Sequence, residues 1–350
     1  MPKVVLITGC SSGLGRALAS RLAAERDPDG SRSYTVYASA RNANSLKGLE
    51  VEGIKPIGLD VTKQKSVEEA VKRVVKEAGG IDVLINNAGL SRVGPLVEQP
   101  LSEIEEVMQT NVLGVVRVTQ EIAPHMMRRR GGLIVMIGSV TSVMASPFAG
   151  AYSASKAALL GLTDSLRLEL QPFGVQVSYV TAGSIKSALA DNSLGAIDLQ
   201  RYRRPGSLYG PLADKIEGRA RMSQTDPNVQ PAEVVADQVA AVINASALGR
   251  SAASGGLLGA LTRACQAVFQ ALCPAAGRRV APAEGASGST AAAAVEAPVW
   301  QPRPPPNWFL AGGAARYYFL LGVAQKLLPG GWPTNPAMAK RFGLDQLLSA

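Results

Sequence analysis

The sequence predicts an α/β protein with a doubly wound parallel sheet of about seven strands and helices on both faces of the sheet. From Lys3 to Val180, short apolar runs alternate with longer segments of helical pattern. The runs are unbroken stretches rich in Val, Ile and Leu, which are typical of strands buried on both faces. A glycine-rich turn joins the first run to the first helical segment, as expected where a βαβ unit binds phosphate.

Each strand-like run is short and is separated from the next by a segment long enough to be a helix, which is the rhythm of βαβ units. Because parallel strands need crossover helices, and these crossovers are right-handed, the helices cover both faces of the sheet. The predicted strands are Lys3–Thr8, Tyr34–Ser39, Lys55–Leu59, Ile81–Ile85, Leu133–Ile137 and Val175–Val180.

Composition limits the possible functions. The chain has 350 residues, of which 47% are hydrophobic and 18% charged, so it can bury a core and is not a disordered chain. Its 3 cysteines are too few for a disulfide framework. Its single histidine, His125, excludes a His-rich metal site, and we expect no metal. A net charge of +9 favours anionic partners, although we expect no nucleic acid.

The main domain is expected to cover residues 1–248. Within it, a polar stretch punctuated by Gly and Pro at about 184–222 predicts a substrate lid. A helix should follow over Pro231–Ser246, because proline suits a helix start and valines recur at helical spacing. The valines expected to share its apolar face are Val234, Val235, Val239 and Val242.

Residues 249–303 are rich in Ala, Gly and Ser and are predicted to be a flexible, low-complexity insertion. Inside it, residues 256–273 place apolar side chains on one helical face and polar ones on the other. This amphipathic helix has two possible roles. It can pack on its own domain, or it can lie in a lipid surface.

A closing strand of the sheet is predicted at 304–313, followed by a C-terminal helical tail over 314–350. The apolar part of the tail, Tyr317–Leu328, is shorter than the roughly 20 residues that a membrane span needs. We expect a tail that associates with a membrane as a hairpin or surface helix, with Trp and Tyr anchors. The alternative is a helix buried against the core or against a second subunit of a homodimer.

The glycine-rich turn Thr8–Gly15 lies between the first strand and the first helix. A helix N-terminus presents unpaired backbone N–H groups and a positive dipole end, which together bind a pyrophosphate. Glycine lets the backbone come close to that group. The turn therefore predicts a dinucleotide site.

The end of the second strand indicates which dinucleotide binds. An acidic residue there would bind the ribose hydroxyls of NAD, but the sequence has Ala40 and then Arg41. The planar guanidinium of Arg41 can pair with the 2′-phosphate of NADP, and Ser11 can assist. We therefore expect NADPH.

A candidate catalytic group follows the fifth strand. Tyr152 and Lys156 are spaced four apart, which places them on one helix face. A phenol has a pKa of about 10, and a neighbouring ammonium is expected to lower the pKa of Tyr152. Ser139 stands just after the fifth strand, at the edge where such sheets bind ligands.

The combination of Thr8–Gly15, the run from Asn86 to Gly89, Asn111, Ser139 and the Tyr152/Lys156 pair resembles the short-chain dehydrogenase/reductase family. The resemblance extends from about Lys3 to Ser246 and implies a Rossmann fold. One departure is Ala182-Gly183, where the family usually has Pro-Gly.

The resemblance implies a role for each catalytic residue. Tyr152 would protonate a carbonyl oxygen, and Ser139 would hydrogen-bond the same oxygen. Lys156 would bind the nicotinamide ribose, and Asn111 would hold a water that relays protons. The implied cofactor-binding residues are Thr8, Gly9, Ser11, Ser12, Gly13, Leu14, Gly15, Arg41, Asp60, Val61, Asn86, Ala88, Gly89, Tyr152, Lys156, Gly183, Ile185 and Ser187.

The substrate region is similar to the 1-acyldihydroxyacetone-phosphate reductases of lipid synthesis. This likeness lies in Val180–Asn192, Ser207–Lys215, Pro305–Gly313 and Lys340–Leu344. Such a substrate needs a cation for its phosphate. The candidates are Lys186, Arg201, Arg203, Arg204 and Lys215, and each could instead be a solvated surface charge.

Two alternatives remain at this stage. Val4–Gly15 and Pro147–Ser155 are also similar to 17-beta hydroxysteroid and retinol dehydrogenases, whose substrates need no phosphate partner. A non-enzymatic lipid-surface protein that kept a cofactor fold is the other alternative, although the Ser139, Tyr152 and Lys156 set argues against it. The phospholipid resemblance implies the cytosolic face of the endoplasmic reticulum or a lipid droplet, with lipid as the partner.

Overall fold

The computed structural model describes residues 1–186, 189, 195–226, 229–247 and 308–311. Several predicted features lie outside these residues. They are the insertion at 249–303 with its amphipathic helix 256–273, the tail at 314–350, and Ser187. Among the described residues, no helix combines the length and apolar character that crossing a bilayer requires.

A parallel sheet forms the centre of the described structure, as the apolar runs predict. Its strands are β1 (Lys3–Ile7), β2 (Tyr34–Ala40), β3 (Lys55–Gly58), β4 (Val83–Asn86), β5 (Gly132–Ile137) and β6 (Val175–Ala182). They lie side by side in the order β3-β2-β1-β4-β5-β6, so the direction of winding reverses between β1 and β4. This arrangement confirms the doubly wound α/β fold. Within the predicted closing strand, β7 (Trp308–Ala311) lies parallel to β6 with Trp308 opposite Tyr179.

Helices cover both faces of this sheet. They are α1 (Gly13–Ala23), α2 (Gln64–Ala78), α3 (Leu101–Met108), α4 (Gly114–Arg128), α5 (Gly150–Leu170), α6 (Leu199–Arg203), α7 (Ala213–Thr225) and α8 (Ala232–Ala247). Buried side chains of α2, α4 and α5 pack with one face of the sheet, where Leu6, Leu84 and Ile134 point. Neighbouring strand residues point to opposite sides of a sheet, so the strands also present side chains to the other face. Helices α1 and α8, which contact each other, pack on that face.

The apolar face of α8 differs from the predicted one. The fully buried positions are Val235, Val239 and Ile243, whereas Val234 is 41% exposed. Positions four apart lie on one side of an α-helix, so Val235, Val239 and Ile243 form one row and Val234 belongs to the neighbouring side. The sequence prediction placed all four valines on one face because they are the same residue type. The helical period instead puts Val234 on a different side from Val235 and Val239.

The predicted lid contains two helices, α6 and α7, despite its weak apolar periodicity. A small core holds them in place. Tyr202, Leu212 and Ile216 pack there with Val93 and Phe148, which come from the main body of the domain. The lid is therefore attached through a few buried side chains, which accounts for its weak sequence signal.

The buried row of α8 gives a stability test. Val239→Ala removes buried methyl groups, which lowers the unfolding free energy, while the better helix propensity of alanine offsets part of this loss. The net decrease should be about 1–2 kcal/mol. Val234→Ala, the matched control on the same helix, should change it by less than about 0.5 kcal/mol. Urea unfolding followed by circular dichroism measures both values. Equal losses would contradict the assignment of the buried face.

Candidate active site

A cavity of about 330 Å³ lies at the edge of the sheet where β1, β4, β5 and β6 end. Parallel strands bring the loops that follow them to one edge, which is where doubly wound sheets bind ligands. Residues from nine segments of the chain line it. Those predicted from the sequence are Gly9, Ser11, Ser12, Gly13, Leu14, Gly15, Arg41, Asp60, Val61, Ala88, Gly89, Ser139, Tyr152, Lys156, Gly183 and Ile185.

The glycine-rich turn forms one end of the cavity. Gly9 has a φ of +74°, and a Cβ atom there would lie 2.7 Å from the Cα of Ala88. Only glycine therefore fits between the two loops without strain. Ser12 is the N-cap of α1, and its side chain caps no backbone N–H group among the described residues. The N–H groups at this helix start are thus placed to bind a pyrophosphate, so the turn fits a dinucleotide.

Thr8 and Asn87 hold the turn in this shape. The Thr8 hydroxyl accepts hydrogen bonds from the backbone N–H groups of Asn87 and Ala88, both at 3.0 Å. In return, Asn87 Nδ2 donates to the carbonyl oxygens of Thr8 at 2.8 Å and Gly9 at 3.0 Å. Thr8 is buried and is not among the lining residues, so it shapes the cofactor site from behind.

Asn86 also lies behind the cavity wall, although the resemblance assigns it to the cofactor. Its Nδ2 donates to the Thr119 hydroxyl at 3.2 Å, and it is 2% exposed. The next residue, Asn87, lines the cavity instead. Strand alternation could have separated the two, since adjacent side chains point to opposite faces.

Arg41, Asp60 and Val61 line the cavity at the ends of β2 and β3. Arg41 is exposed, so its guanidinium is accessible to a ligand phosphate. Asp60 Oδ1 accepts hydrogen bonds from the backbone N–H of Thr62 at 2.9 Å and from its hydroxyl at 2.8 Å. The carboxylate thus stabilises a turn at this end of the site.

Tyr152 and Lys156 lie on the first turns of α5, with Ser139 just after β5. The Lys156 ammonium is 5.7 Å from the centre of the Tyr152 ring and donates to the carbonyl oxygen of Ile137 at 2.8 Å. The Ser139 hydroxyl accepts a hydrogen bond from the backbone N–H of Thr141 at 3.2 Å. All three predicted groups therefore face the same cavity.

Burial changes the proton affinity of Tyr152 in the direction opposite to the predicted one. The pKa of Tyr152 is raised because burial disfavours the phenolate, while a hydrogen bond with Ser139 and the charge of Arg219 partly offset this effect. The expectation that Lys156 makes Tyr152 unusually acidic is thus wrong for this structure. Burial instead lowers the pKa of Lys156 to about 8.

Asn111 lies in a π-helical turn, Gln109–Leu113, between α3 and α4. Its side-chain amide donates to the carbonyl oxygen of Leu90 at 2.9 Å and to the Ser155 hydroxyl at 3.0 Å. It also accepts the backbone N–H of Leu90 at 2.9 Å. Asn111 is therefore a buried link between two walls of the site, and its neighbour Thr110 lines the cavity. Its role in a water relay stays a prediction.

The five basic residues proposed for the substrate lie elsewhere in the described structure. Arg201 pairs with Glu103 at 2.9 Å, and Arg203 pairs with Asp214 at 2.8 Å. Four of the five are exposed, namely Lys186, Arg203, Arg204 and Lys215. None of the five is among the described residues that line the cavity, where Arg219 of α7 is found instead.

Sequence comparison identifies the family. The profile of the short chain dehydrogenase family matches residues 3–196, so the chain belongs to this family. Human 17-beta-hydroxysteroid dehydrogenase type 1 is 41% identical over 202 residues, covering 55% of this chain and 60% of that protein. The NADPH-dependent 1-acyldihydroxyacetone phosphate reductase of Schizosaccharomyces pombe is 37% identical over 197 residues, covering 56% and 64%. Human retinol dehydrogenase 8 is 36% identical over 232 residues, covering 61% and 72%.

Solved structures agree with this fold. A short-chain dehydrogenase/reductase from Burkholderia phymatum in complex with NAD superposes with a TM-score of 0.59 at 26% identity, covering 70% of this chain and 86% of that one. ElxO with NADP bound gives 0.52 at 27% identity, covering 71% and 92%. The matched region spans 57–60% of the length of the 17-beta-hydroxysteroid dehydrogenase relatives.

The lowered pKa of Lys156 gives a pH test. As the pH rises through about 8, Lys156 loses the ammonium proton, so its hydrogen bonds to a bound ribose should weaken. We expect kcat/KM for NADPH, which reports ionisations of the free enzyme, to fall about tenfold per pH unit above that value. Initial rates across the pH range measure it.

The control is Lys72→Met, which removes an exposed lysine on α2 and should leave the inflection in place. A profile that stays flat to about pH 9.5 would show that the Lys156 ammonium is not required.

Proposed function

We propose that this protein is an NADPH-dependent reductase that converts 1-acyldihydroxyacetone phosphate to 1-acylglycerol 3-phosphate in glycerolipid synthesis. The observation that carries the proposal is the arrangement of one cavity. The glycine-rich turn and Arg41 line one end of this cavity, and Ser139, Tyr152 and Lys156 line the other end. This arrangement suits a dinucleotide that extends toward a carbonyl compound.

The residues at the reactive end divide the work of a carbonyl reduction. When bound, NADPH supplies a hydride to the carbonyl carbon and leaves as NADP+. Tyr152 donates the phenolic proton to the carbonyl oxygen, so that the C=O bond becomes a CH–OH group. The phenol is in its protonated form near neutral pH, because burial raises a pKa that is already about 10 in water. Ser139 hydrogen-bonds the same oxygen and orients it.

The lining near Tyr152 supports a substrate that is both apolar and charged. Val93, Leu189 and Met222 supply apolar surface for an acyl chain. Lys156 and Arg219 supply positive charge in the same part of the cavity. An acyl ester of dihydroxyacetone phosphate combines these properties, and the yeast reductase of that substrate is among the similar proteins.

A steroid or retinoid dehydrogenase is the second candidate. The 17-beta-hydroxysteroid dehydrogenases match at 40–41% identity, slightly above the yeast reductase at 37%. The apolar side chains around Tyr152 also suit a neutral hydrophobic carbonyl. A neutral substrate would use only the apolar part of this lining, whereas the positive charge of Lys156 and Arg219 also suits a substrate that carries a phosphate, and this favours the phospholipid.

A lipid substrate implies a location at lipid. We propose that the protein works at the cytosolic face of the endoplasmic reticulum or on lipid droplets. An acyl-chain substrate partitions into such surfaces, and the amphipathic pattern at 256–273 together with the aromatic tail at 314–350 suits attachment there. As the alternative, we propose that the tail packs against a second subunit in a homodimer.

Parallel assays of NADPH oxidation with 1-acyldihydroxyacetone phosphate, retinal and estrone test the function. We expect turnover of the phospholipid precursor above that of the other two. Tyr152→Phe should reduce kcat by about 10²–10⁴-fold while NADPH still binds, because only the proton donor is removed. Tyr209→Phe, whose ring packs edge to face with Phe148, is the matched control and should retain activity.

Three results would contradict the proposal. Turnover of retinal or estrone alone would make the protein a steroid or retinoid dehydrogenase. The absence of turnover with every carbonyl compound would favour a lipid-surface protein without catalysis. Full activity in Tyr152→Phe would show that another group donates the proton.

Arg41 tests the choice of cofactor. If the guanidinium pairs with the 2′-phosphate, Arg41→Ala should raise KM for NADPH by about 10- to 100-fold, since a charge-assisted hydrogen bond is lost. KM for NADH should hardly change. Arg73→Ala, which removes a guanidinium paired with Glu77 on α2, is the control. An unchanged ratio of the two KM values in Arg41→Ala would refute the pairing.

A further inference from the structure

Tyr179 is a buried tyrosine on β6 that takes no direct part in the proposed chemistry. Its side chain is 0% exposed, and it is not among the described residues that line the cavity. Its hydroxyl donates a hydrogen bond to the backbone carbonyl oxygen of Lys156 at 3.2 Å. Burial raises the pKa of Tyr179 to about 12, so the phenol keeps its proton and stays a donor near neutral pH. This hydrogen bond joins β6 to α5 at Lys156.

The hydroxyl of Tyr179 is more than a packing feature. In an α-helix each carbonyl oxygen accepts from the N–H group four residues further on, and Lys156 lies well inside α5. Its carbonyl oxygen therefore has a helical partner without Tyr179. A phenylalanine would fill the core at this position and bring no buried polar atom that needs a partner. The hydroxyl is thus the part of this side chain that core packing does not explain.

The ring of Tyr179 packs on the end of β5. Gly138 joins Ile137 to Ser139, and a Cβ atom at this glycine would overlap the phenol ring. Gly138 does not have a positive φ, so this position requires space for the ring rather than an unusual backbone. The Gly138 N–H donates to the carbonyl oxygen of Val180, the neighbour of Tyr179 on β6, at 2.8 Å. The backbone that carries Ser139 is therefore supported by this part of β6.

Lys156 is consequently held at both of its ends. Its ammonium donates to the Ile137 carbonyl oxygen at 2.8 Å, and its backbone carbonyl oxygen accepts from Tyr179. Three elements, β5, β6 and α5, thus meet around the Tyr179 side chain. Tyr152 stands one turn before Lys156 on α5, so a shift of α5 relative to β5 would change its distance from Ser139. A misplacement of about 1 Å can slow a reaction by about 10²-fold.

We infer that Tyr179 is a positioning residue, whose hydroxyl and ring hold the first turns of α5 against the end of β5. In this way it sets the distance of Lys156 and Tyr152 from Ser139, and it acts only through those groups. The inference rests on the proposed function for the chemical roles of these three residues, and it adds the residue that fixes their geometry.

Tyr179→Phe tests the inference, because it keeps the ring and removes only the donor. The first measurement needs no carbonyl substrate. NADPH fluorescence gives the Kd of the full-length protein for NADPH from about pH 7 to about pH 10. In the wild type this Kd should rise above about pH 8 as Lys156 loses its proton. A looser α5 admits water to the ammonium, so in Tyr179→Phe the inflection should lie at least about half a pH unit higher.

The second measurement is turnover of 1-acyldihydroxyacetone phosphate. We expect Tyr179→Phe to lower kcat by about tenfold, because the reacting groups are displaced. KM for the carbonyl compound should stay within about twofold, because the residues that line the cavity are the same. Tyr179→para-aminophenylalanine restores a donor at the same place, and it should return both kcat and the inflection close to their wild-type values.

The matched control is Tyr37→Phe. Tyr37 is also buried, and its hydroxyl bonds to Glu77 of α2 at 3.0 Å, so this variant should change neither kcat nor the inflection. Circular dichroism and the urea midpoint show that each variant is folded. Should Tyr179→Phe fail to fold, Tyr179→para-fluorophenylalanine replaces it, since fluorine fills part of the space of the hydroxyl and donates no hydrogen bond.

An inflection at or below the wild-type pH in Tyr179→Phe would overturn the inference, whatever the value of kcat, because the lost hydroxyl would then not act through Lys156. A wild type without an inflection, an unchanged kcat, or a para-aminophenylalanine variant that behaves like Tyr179→Phe would overturn it as well. Failure of the proposed function gives a different result. The carbonyl compound would then not be reduced, while the inflection in NADPH binding would still decide the inference by itself.

Discussion

The reactive end of this molecule depends on one buried hydrogen bond, in which the Lys156 ammonium donates to the carbonyl oxygen of Ile137 at 2.8 Å. It joins the first turns of α5 to the carboxyl end of β5. Tyr152 stands one helical turn before Lys156, and Ser139 follows Ile137 after one glycine. The same bond therefore sets the positions of all three groups. Its burial also lowers the pKa of Lys156 to about 8, which places the loss of the ammonium charge within reach of physiological pH.

A second constraint brings the cofactor end to the same place. Parallel strands release their following loops at one edge of the sheet. There, Thr8 and Asn87 fasten the loop after β1 to the loop after β4 through hydrogen bonds between 2.8 and 3.0 Å. Gly9 fits against Ala88 because it has no side chain. The glycine-rich turn and the catalytic group thus share one cavity, as a reaction between a dinucleotide and a carbonyl compound requires.

Burial shifts the pKa of the Tyr152 phenol. Desolvation raises the pKa of Tyr152, and the Ser139 hydrogen bond and the Arg219 charge oppose that effect only in part. Burial therefore favours the protonated phenol, the form that an unperturbed tyrosine also has near neutral pH, and makes it a weaker acid. The same lid that carries Arg219 also carries apolar side chains such as Met222. The lid helix α7 therefore contributes both charged and apolar side chains to the lining of the cavity.

The sequence by itself determined the alternation of strands and helices, the glycine-rich turn and the spacing of Tyr152 and Lys156, because each of these is a pattern within a short stretch of chain. Only the tertiary structure decided which charges face the cavity. Arg201 forms an ion pair with Glu103, and Arg219 lines the same cavity as Tyr152. Both placements result from contacts between segments far apart in the chain. The direction of the Tyr152 pKa shift was likewise decided by the tertiary structure. It follows from burial, and burial exists only once the elements have packed together.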